Sequence, residues 1–351
     1  MDARGFSKSA IRATAAGRAA TVRESVHSLG AIRVYSCAFV ALLSGCARYS
    51  DFSLPSPDPA GPRPPFRWEA SPEPVLSGSV DTLNPSVIRF RGEYLNLYSE
   101  YDGHTWHTAL ATSNDGGHWE KRGRILSPQG WEGSYIAANG SAVALDDRIL
   151  YWYQAGDPPR IALARSSDGH VWTKDPEPVV PLGPRGSFDE RGVSDPYVIR
   201  AGDAFYLLYT GLDRARRQRL GIARSTDGVH WSKLRTNPIL DMGGRGAFDE
   251  NGLGEPAVWS SAGAWWMLYT GRAVGEQRRL GLAKSADGVH WERESAFKPI
   301  SGDRPWNREV VCDPTLEVSP TEIRVWFGGG DVASPDQNLH GQIGLGFLRS
   351  Q

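Results

Sequence analysis

Methionine and cysteine are nearly missing from this sequence, and neither sign of charge dominates it. Three Met against 40 Gly, 24 Pro, 13 Trp and 12 Tyr argue against a helical protein, since helices favour Leu, Ala, Glu and Met while short strands and tight turns use the residues found here. Thirty-nine Lys and Arg against 40 Asp and Glu leave a net charge of -1, so no global field draws the chain to nucleic acid or anionic lipid. Long apolar stretches are absent too: the ten-residue run at 34–43 falls short of the ~20 residues that span a bilayer. No zinc-ligand spacing, nucleotide loop, Gly-x-Ser-x-Gly elbow or Cys-His pairing occurs, which disfavours hydride transfer, phosphoryl transfer from ATP and acyl-enzyme chemistry. A composition of 40% hydrophobic and 23% charged residues still suffices to bury a core, and an all-β fold is expected.

The short apolar run has the length of a signal h-region. It follows Arg33 and ends in Leu43-Ser44-Gly45-Cys46, which resembles the bacterial lipobox and implies cleavage before Cys46 and lipid on its sulfur. The 33 residues ahead of the run are long for an n-region, and Val22, Leu29 or Val34 are candidate start sites. Six of the 13 residues from Ser53 to Pro65 are Pro, the composition of a semi-rigid spacer. Residues 1–45 therefore read as a signal peptide, 46–65 as a tether reaching up to ~60 Å in polyproline II conformation, and 66–351 as the folded domain. This places the protein in a bacterial cell envelope, held to the membrane only by its lipid and expected as a monomer. With Cys46 lipidated, Cys312 is the one thiol of the mature chain, so packing rather than a disulfide holds the fold.

From residue 84 onward the chain repeats with a period of 50 to 60 residues. Ser-x-Asp-Gly-x-x-Trp occurs at Ser113–Trp119, Ser166–Trp172, Ser225–Trp231 and Ser285–Trp291, each time after a short alternating strand such as IALARS or LGIARS. Asp-Gly falls where a hairpin needs positive φ, so Asp115, Asp168, Asp227 and Asp287 are turn formers rather than catalysts. Two more strands precede each hairpin, which makes each repeat a four-stranded unit of the kind that builds propeller blades. The fifth unit, from Asp313, lacks its last strand. The segment from Trp68 to Leu76 resembles Trp172–Val180 and supplies it, closing a five-bladed β-propeller without an unpaired edge.

Each unit opens with a polar residue followed by Pro or Gly: Asn84-Pro85, Asn139-Gly140, Asp195-Pro196, Glu255-Pro256 and Asp313-Pro314. Innermost strands of a propeller line its axis, so these five side chains are expected to converge on one cavity. The stretch Phe188-Asp189-Glu190 through Asp195-Pro196 aligns with Phe248-Asp249-Glu250 through Glu255-Pro256 at an offset of 60. Asp in one unit and Glu in the next give two carboxyls of different reach, and like charges at close range separate in pKa, which suits acid-base chemistry.

On these residues the chain resembles, over residues 67–349, the five-bladed β-propeller glycosidases of family 43 and their relatives in families 32, 68 and 130. The resemblance implies a catalytic-base Asp opening unit one, an orienting Asp opening unit three, matched by Asp195, and a general-acid Glu opening unit four, matched by Glu255. Unit one departs from this pattern, because Asn84 cannot take a proton from water. Asp313, in the same register, and Asp81, three residues before Asn84, are the available substitutes, and Asp189 and Asp249 come next. Family 43 also suggests arabinan as substrate.

Trp106, Trp131, Tyr135 and Trp306 are candidate sugar-stacking residues, with packing between blades as their other reading. Asn84 and Asn139 are candidate hydroxyl partners. Arg185 and Arg245 repeat at the offset of 60 in Gly-x-Arg-Gly turns and suit sugar hydroxyls, a carboxylate or a phosphate as well as plain turns. No cofactor is required by this chemistry. His340 alone, by resemblance to arabinanases that place a His near an axial ion, marks a calcium or water site. Two rival functions stay open: a phosphorylase resembling family 130, which needs no water-activating base, and a non-catalytic propeller that binds carbohydrate.

Overall fold

The computed structural model describes residues 48–351; the signal-like run and Cys46 lie outside them. Strand pairing resolves into five four-stranded antiparallel units. Unit one contains β3 (Thr82–Phe90), β4 (Glu93–Tyr101), β5 (Trp106–Ser113) and β6 (Glu120–Leu126). Unit two contains β7 (Ile136–Ala144), β8 (Ile149–Ala155), β9 (Arg160–Ser166) and β10 (Thr173–Lys174). Unit three runs through β11 (Gly192–Ala201), β12 (Ala204–Leu212), β13 (Gln218–Ser225) and β14 (Ser232–Leu234), and unit four through β15 (Gly252–Ser261), β16 (Ala264–Arg272), β17 (Arg278–Ser285) and β18 (Glu292–Arg293). The fifth unit joins β19 (Val310–Val318), β20 (Glu322–Gly330) and β21 (Gln342–Ser350) to β2 (Phe66–Ala70), with Trp68 opposite Leu348. The N-terminal strand thus closes the ring as the likeness of Trp68–Leu76 to Trp172–Val180 predicted, and the first strands β3, β7, β11, β15 and β19 neighbour one another in cyclic order. Among the described residues, no helix is long and apolar enough to cross a membrane.

The core sits between units, where alternate residues of adjacent sheets meet. Trp152 of unit two, fully buried, packs 5.6 Å from Phe205 and 6.0 Å from Trp231 of unit three. Each such side chain contributes about 1.5–3 kcal/mol by burial. The Ser-x-Asp-Gly turns are built as expected. In unit three Ser225 Oγ accepts the N–H groups of Asp227 and Gly228, and Asp227 Oδ1 accepts those of Val229 and His230, so the carboxylate is spent on the turn. Gly228 has φ +77° and also lies under the Trp152 ring, whose Nε1 donates to its carbonyl at 2.8 Å. A side chain there meets both objections at once.

The proline-rich segment is extended but it is not a free tether. A two-residue strand β1 (Tyr49–Ser50) pairs in parallel with β14, and Leu54, 5% exposed, fills the surface over Gly288 of unit four. Further along, Trp265 Nε1 donates to Pro55 O at 3.0 Å, and the N–H groups of Ala262 and Gly263 donate to Ala60 O and Asp58 O, both at 2.8 Å. Prolines remove donors but keep acceptors, so a segment of this composition bonds wherever a neighbouring element offers spare donors. Residues 48–65 are therefore part of the domain, against the expected boundary at residue 66 and the ~60 Å reach.

Candidate active site

All five unit-opening residues adopt the left-handed backbone region: Asn84 at φ +48°, Asn139 at +50°, Asp195 at +47°, Glu255 at +52° and Asp313 at +51°. Each sits at a break in the register of its first strand, for instance between Gly254 and Ala257 in unit four. Asn and Asp tolerate this conformation, whereas Glu pays about 1–2 kcal/mol for it. The bulge turns the five side chains toward the axis, where they line one cavity of about 660 Å³ together with Trp106, Tyr135 and Gln154. Arg216, Gln218, Arg272 and Arg278 complete much of its polar wall. The size is that of a small-molecule or oligosaccharide site.

The opening residues are knit together around the ring. Asp313 N–H donates to Glu255 Oε2 at 3.2 Å, and Asn84 N–H to Asp313 Oδ2 at 3.3 Å. Cys312 Sγ–H donates to Asp313 Oδ2 at 3.1 Å, and Asp313 Oδ1 is buried without a hydrogen-bond partner among the described residues. Asn139 exchanges bonds with Ser99 of unit one, both at 3.0 Å.

Three carboxyls share this cavity and they are not equivalent. Burial raises Glu255, but the positive charge of Arg278, backed by further hydrogen bonds and Arg272, outweighs it and holds the group below the ordinary Glu value. Asp195 occupies the same register in unit three, where Leu212 and Gln218 stand in place of Arg272 and Arg278. There burial, and next the negative charge of Glu255, push the carboxyl up to about 6. Asp313 is held well above the carboxylate range by burial and then by the charge of Glu255. The cavity thus contains a Glu255 held toward its ionised form, an Asp313 held toward its neutral form and an Asp195 raised to about 6. This differs from the sequence expectation of a neutral Glu255 donor and an ionised Asp313 base; the missed ingredient is the arginine pair that only unit four carries.

Several expected site residues lie elsewhere. Asp81 is buried, and its carboxylate accepts the N–H groups of Asn338, Leu339 and Gly341 at 2.5, 3.3 and 2.8 Å, which pins a loop and leaves no role as a base. Asp189 accepts Tyr209 Oη–H at 3.0 Å and Lys233 Nζ–H at 2.5 Å inside unit three, and Asp249 does the same with Tyr269 and Arg293 in unit four. Trp306 stacks on Phe327 at 5.9 Å and donates to Pro72 O at 3.1 Å, so it packs the fifth unit. Trp131 packs beside Gly156, behind the cavity wall. Tyr135, 42% exposed, does line the cavity and donates to Gln337 at 2.7 Å. Arg185 lines a separate surface pocket with Glu190, Arg214 and Arg217, and Arg245 is exposed on its turn. His340 is exposed, paired with Asp331 at 2.8 Å, and does not line the cavity, so an axial ion finds no ligand in it. Glu255, Cys312 and Asp313 offer ligand atoms within 4.8 Å of one another, but the charge of Arg278 acts on all three and opposes a cation there.

Comparison with known proteins agrees with this architecture. The family profile described as the glycosyl hydrolases family 32 N-terminal domain matches residues 85–206 and again 162–312. An uncharacterized protein of Mycobacterium tuberculosis is 28% identical over 229 residues, 60% of this chain and 75% of its own length. A probable sucrose-6-phosphate hydrolase of Psychromonas ingrahamii is 31% identical over 183 residues, 48% of this chain and 33% of its own length. Among solved structures, a family 32 β-fructofuranosidase of Bombyx mori superposes with a TM-score of 0.60 at 16% identity, covering 81% of this chain and 62% of that one. A thermostable family 43 glycoside hydrolase gives 0.61 at 16% identity, covering 78% and 91%, and a family 130 enzyme acting on β-1,2 mannosidic linkages gives 0.63 at 16% identity, covering 82% and 96%. At that identity the three likenesses speak for the propeller fold.

Proposed function

From the premise that the chain belongs to the glycosyl hydrolase family 32 N-terminal domain family, and is thereby a glycosidase, we propose that its axial cavity hydrolyses a furanoside linkage in an oligosaccharide or polysaccharide. The observation that carries the reading is the divergence of carboxyls in one register: Glu255 ionised between Arg278 and Arg272, and Asp195 poised at about 6. Asp195 is the proton donor to the leaving oxygen, because a general acid works best with a pKa near the operating pH. Glu255, held by the Asp313 N–H, is the carboxylate that meets the developing charge at the anomeric carbon. Asp313 acts as a positioning residue: a neutral, buried carboxyl cannot serve as base, but its backbone fixes Glu255. Asn84 no longer matters as a missing base, since Glu255 supplies the negative carboxylate.

Arabinan heads the substrates to try, followed by arabinogalactan and fructans, and the lipobox-like sequence at 43–46 supports a site of action at a cell envelope. Reducing-sugar release by the full chain on these polymers, xylan and mannans, with and without orthophosphate, tests the proposal. Release without phosphate, abolished in Glu255→Gln, supports hydrolysis. A strict phosphate requirement turns the reading to phosphorolysis, and binding without release turns it to a carbohydrate-binding propeller.

A further inference from the structure

Units three and four are near-copies, and each serves as a control for the other. Their β12–β13 and β16–β17 hairpins fold identically: Arg216 N–H donates to Asp213 O and Glu276 N–H to Ala273 O, both at 3.0 Å, with φ +62° at Arg216 and +65° at Glu276. Both tips line the axial cavity. In unit four the tip is neutralised locally, since Glu276 pairs with Arg272 at 3.4 Å and accepts from Asn251 at 3.2 Å. In unit three the sign is reversed and the partners are gone. Arg216 stands where Glu276 does, while Leu212 and Arg191 occupy the positions of Arg272 and Asn251. The guanidinium of Arg216 has no hydrogen bond or ion pair among the described residues.

The surroundings of that arginine are preorganised and positive. Asp213, buried, accepts the N–H groups of Ala215 and Arg217 at 2.8 and 3.0 Å and the guanidiniums of Arg217 and Arg219 at 2.7 and 2.9 Å, which fixes the loop before any ligand arrives. Behind it a surface pocket of about 620 Å³ gathers Arg185, Arg214, Arg217 and Arg219 against only Glu190 and Asp213. On its unit-three side the axial cavity thus presents Arg216 beside Leu212 and Gln218, where unit four presents Glu276 beside Arg272 and Arg278. An exposed, held, unpaired arginine at the mouth of a sugar site is the geometry that captures a phosphate or carboxylate by bidentate hydrogen bonds.

We propose that Arg216 binds an anionic substituent, a phosphate or a carboxylate, on the sugar held in the axial cavity, so that the preferred substrate is an acidic rather than a neutral glycoside. The inference rests on the glycosidase reading only in taking this cavity as the sugar site, and binding tests it without turnover. Isothermal titration of the full chain at low salt compares arabinose, arabinose 5-phosphate, galacturonate and orthophosphate. The acidic sugars, or one of them, bind at least about tenfold more tightly than arabinose, and the stronger of the two names the substituent. R216Q brings that ligand to within about twofold of arabinose, and R67Q, which removes an exposed positive charge from β2, leaves the preference intact. Equal binding of neutral and acidic sugars, or an acidic preference unchanged in R216Q, overturns the proposal. So does orthophosphate binding as tightly as the sugar phosphate, which makes the site one for a free anion. Loss of hydrolysis with the acidic preference retained counts against the glycosidase reading alone.

Discussion

Replacing Lys233 by Met removes the cation from one of the most enclosed charges in the molecule. Lys233 is 4% exposed and Asp189 1% exposed, and the ammonium donates to Asp189 Oδ2 at 2.5 Å and to Pro181 O at 2.7 Å. Without it, the carboxylate retains, among the described residues, Tyr209 Oη–H at 3.0 Å and Ser187 Oγ–H at 2.8 Å. Stranding a buried charge costs about 3–5 kcal/mol, a large part of the roughly 5–15 kcal/mol that holds a domain together. Asp189→Asn in the same chain removes the stranded charge and keeps an acceptor for Tyr209, so the double variant recovers most of the loss. Urea titrations of wild type, both single variants and the double variant give the coupling, expected at about 2–3 kcal/mol. A Lys233→Met variant within about 1 kcal/mol of wild type refutes the reasoning, because that is how a solvated surface pair behaves. Below its unfolding temperature the double variant keeps wild-type turnover, since neither residue lines the axial cavity.

Other consequences follow from the same geometry. Turnover requires Asp195 protonated and Glu255 ionised, so the rate falls as pH rises through about 6 and falls again as pH drops below the ordinary Glu range; a pH–rate profile flat from 5 to 8 contradicts this. The raised value of Asp195 also means that the folded state holds its proton more tightly than the unfolded chain. Its contribution to stability is therefore present below about 4 and lost as pH rises through about 6, so Asp195→Asn gains stability relative to wild type at pH 8 and not at pH 3.5. Leu54→Ala, at 5% exposure, lowers stability by about 2–3 kcal/mol and exposes residues 48–65 to protease; an unchanged melting temperature and cleavage pattern argue for a free tether.

The repeat made most of the fold legible. A Ser-x-Asp-Gly turn every 50 to 60 residues fixes strand number per unit, and the Trp68 segment announces its own partner strand. The converging register at Asn84, Asn139, Asp195, Glu255 and Asp313 was legible for the same reason. Charge states were not, because they depend on Arg272 and Arg278, which lie on the second and third strands of unit four. Aligning Arg272 with Leu212 and Arg278 with Gln218 is the signal that exposes the difference. Asp189 and Asp249 looked like candidates because they flank the site in sequence, yet their partners Lys233 and Arg293 stand 44 residues on, at a matching offset of 60. Asp81 answers to a loop 257 residues away, which no local reading reveals. The proline-rich segment misled because composition reports stiffness, whereas docking depends on donors such as Trp265 that belong to other units.

The most direct test of the central claim is leaving-group rescue in two variants. On the polymer that the enzyme cuts, Asp195→Asn loses about 10²–10⁴-fold in rate, as expected for removal of a general acid. On the 4-nitrophenyl glycoside of the same sugar, whose leaving group departs without protonation, Asp195→Asn returns to near wild-type turnover while Glu255→Gln stays inactive. The opposite pattern, with Glu255→Gln rescued by the good leaving group and Asp195→Asn inactive on both substrates, contradicts the account and makes Glu255 the proton donor.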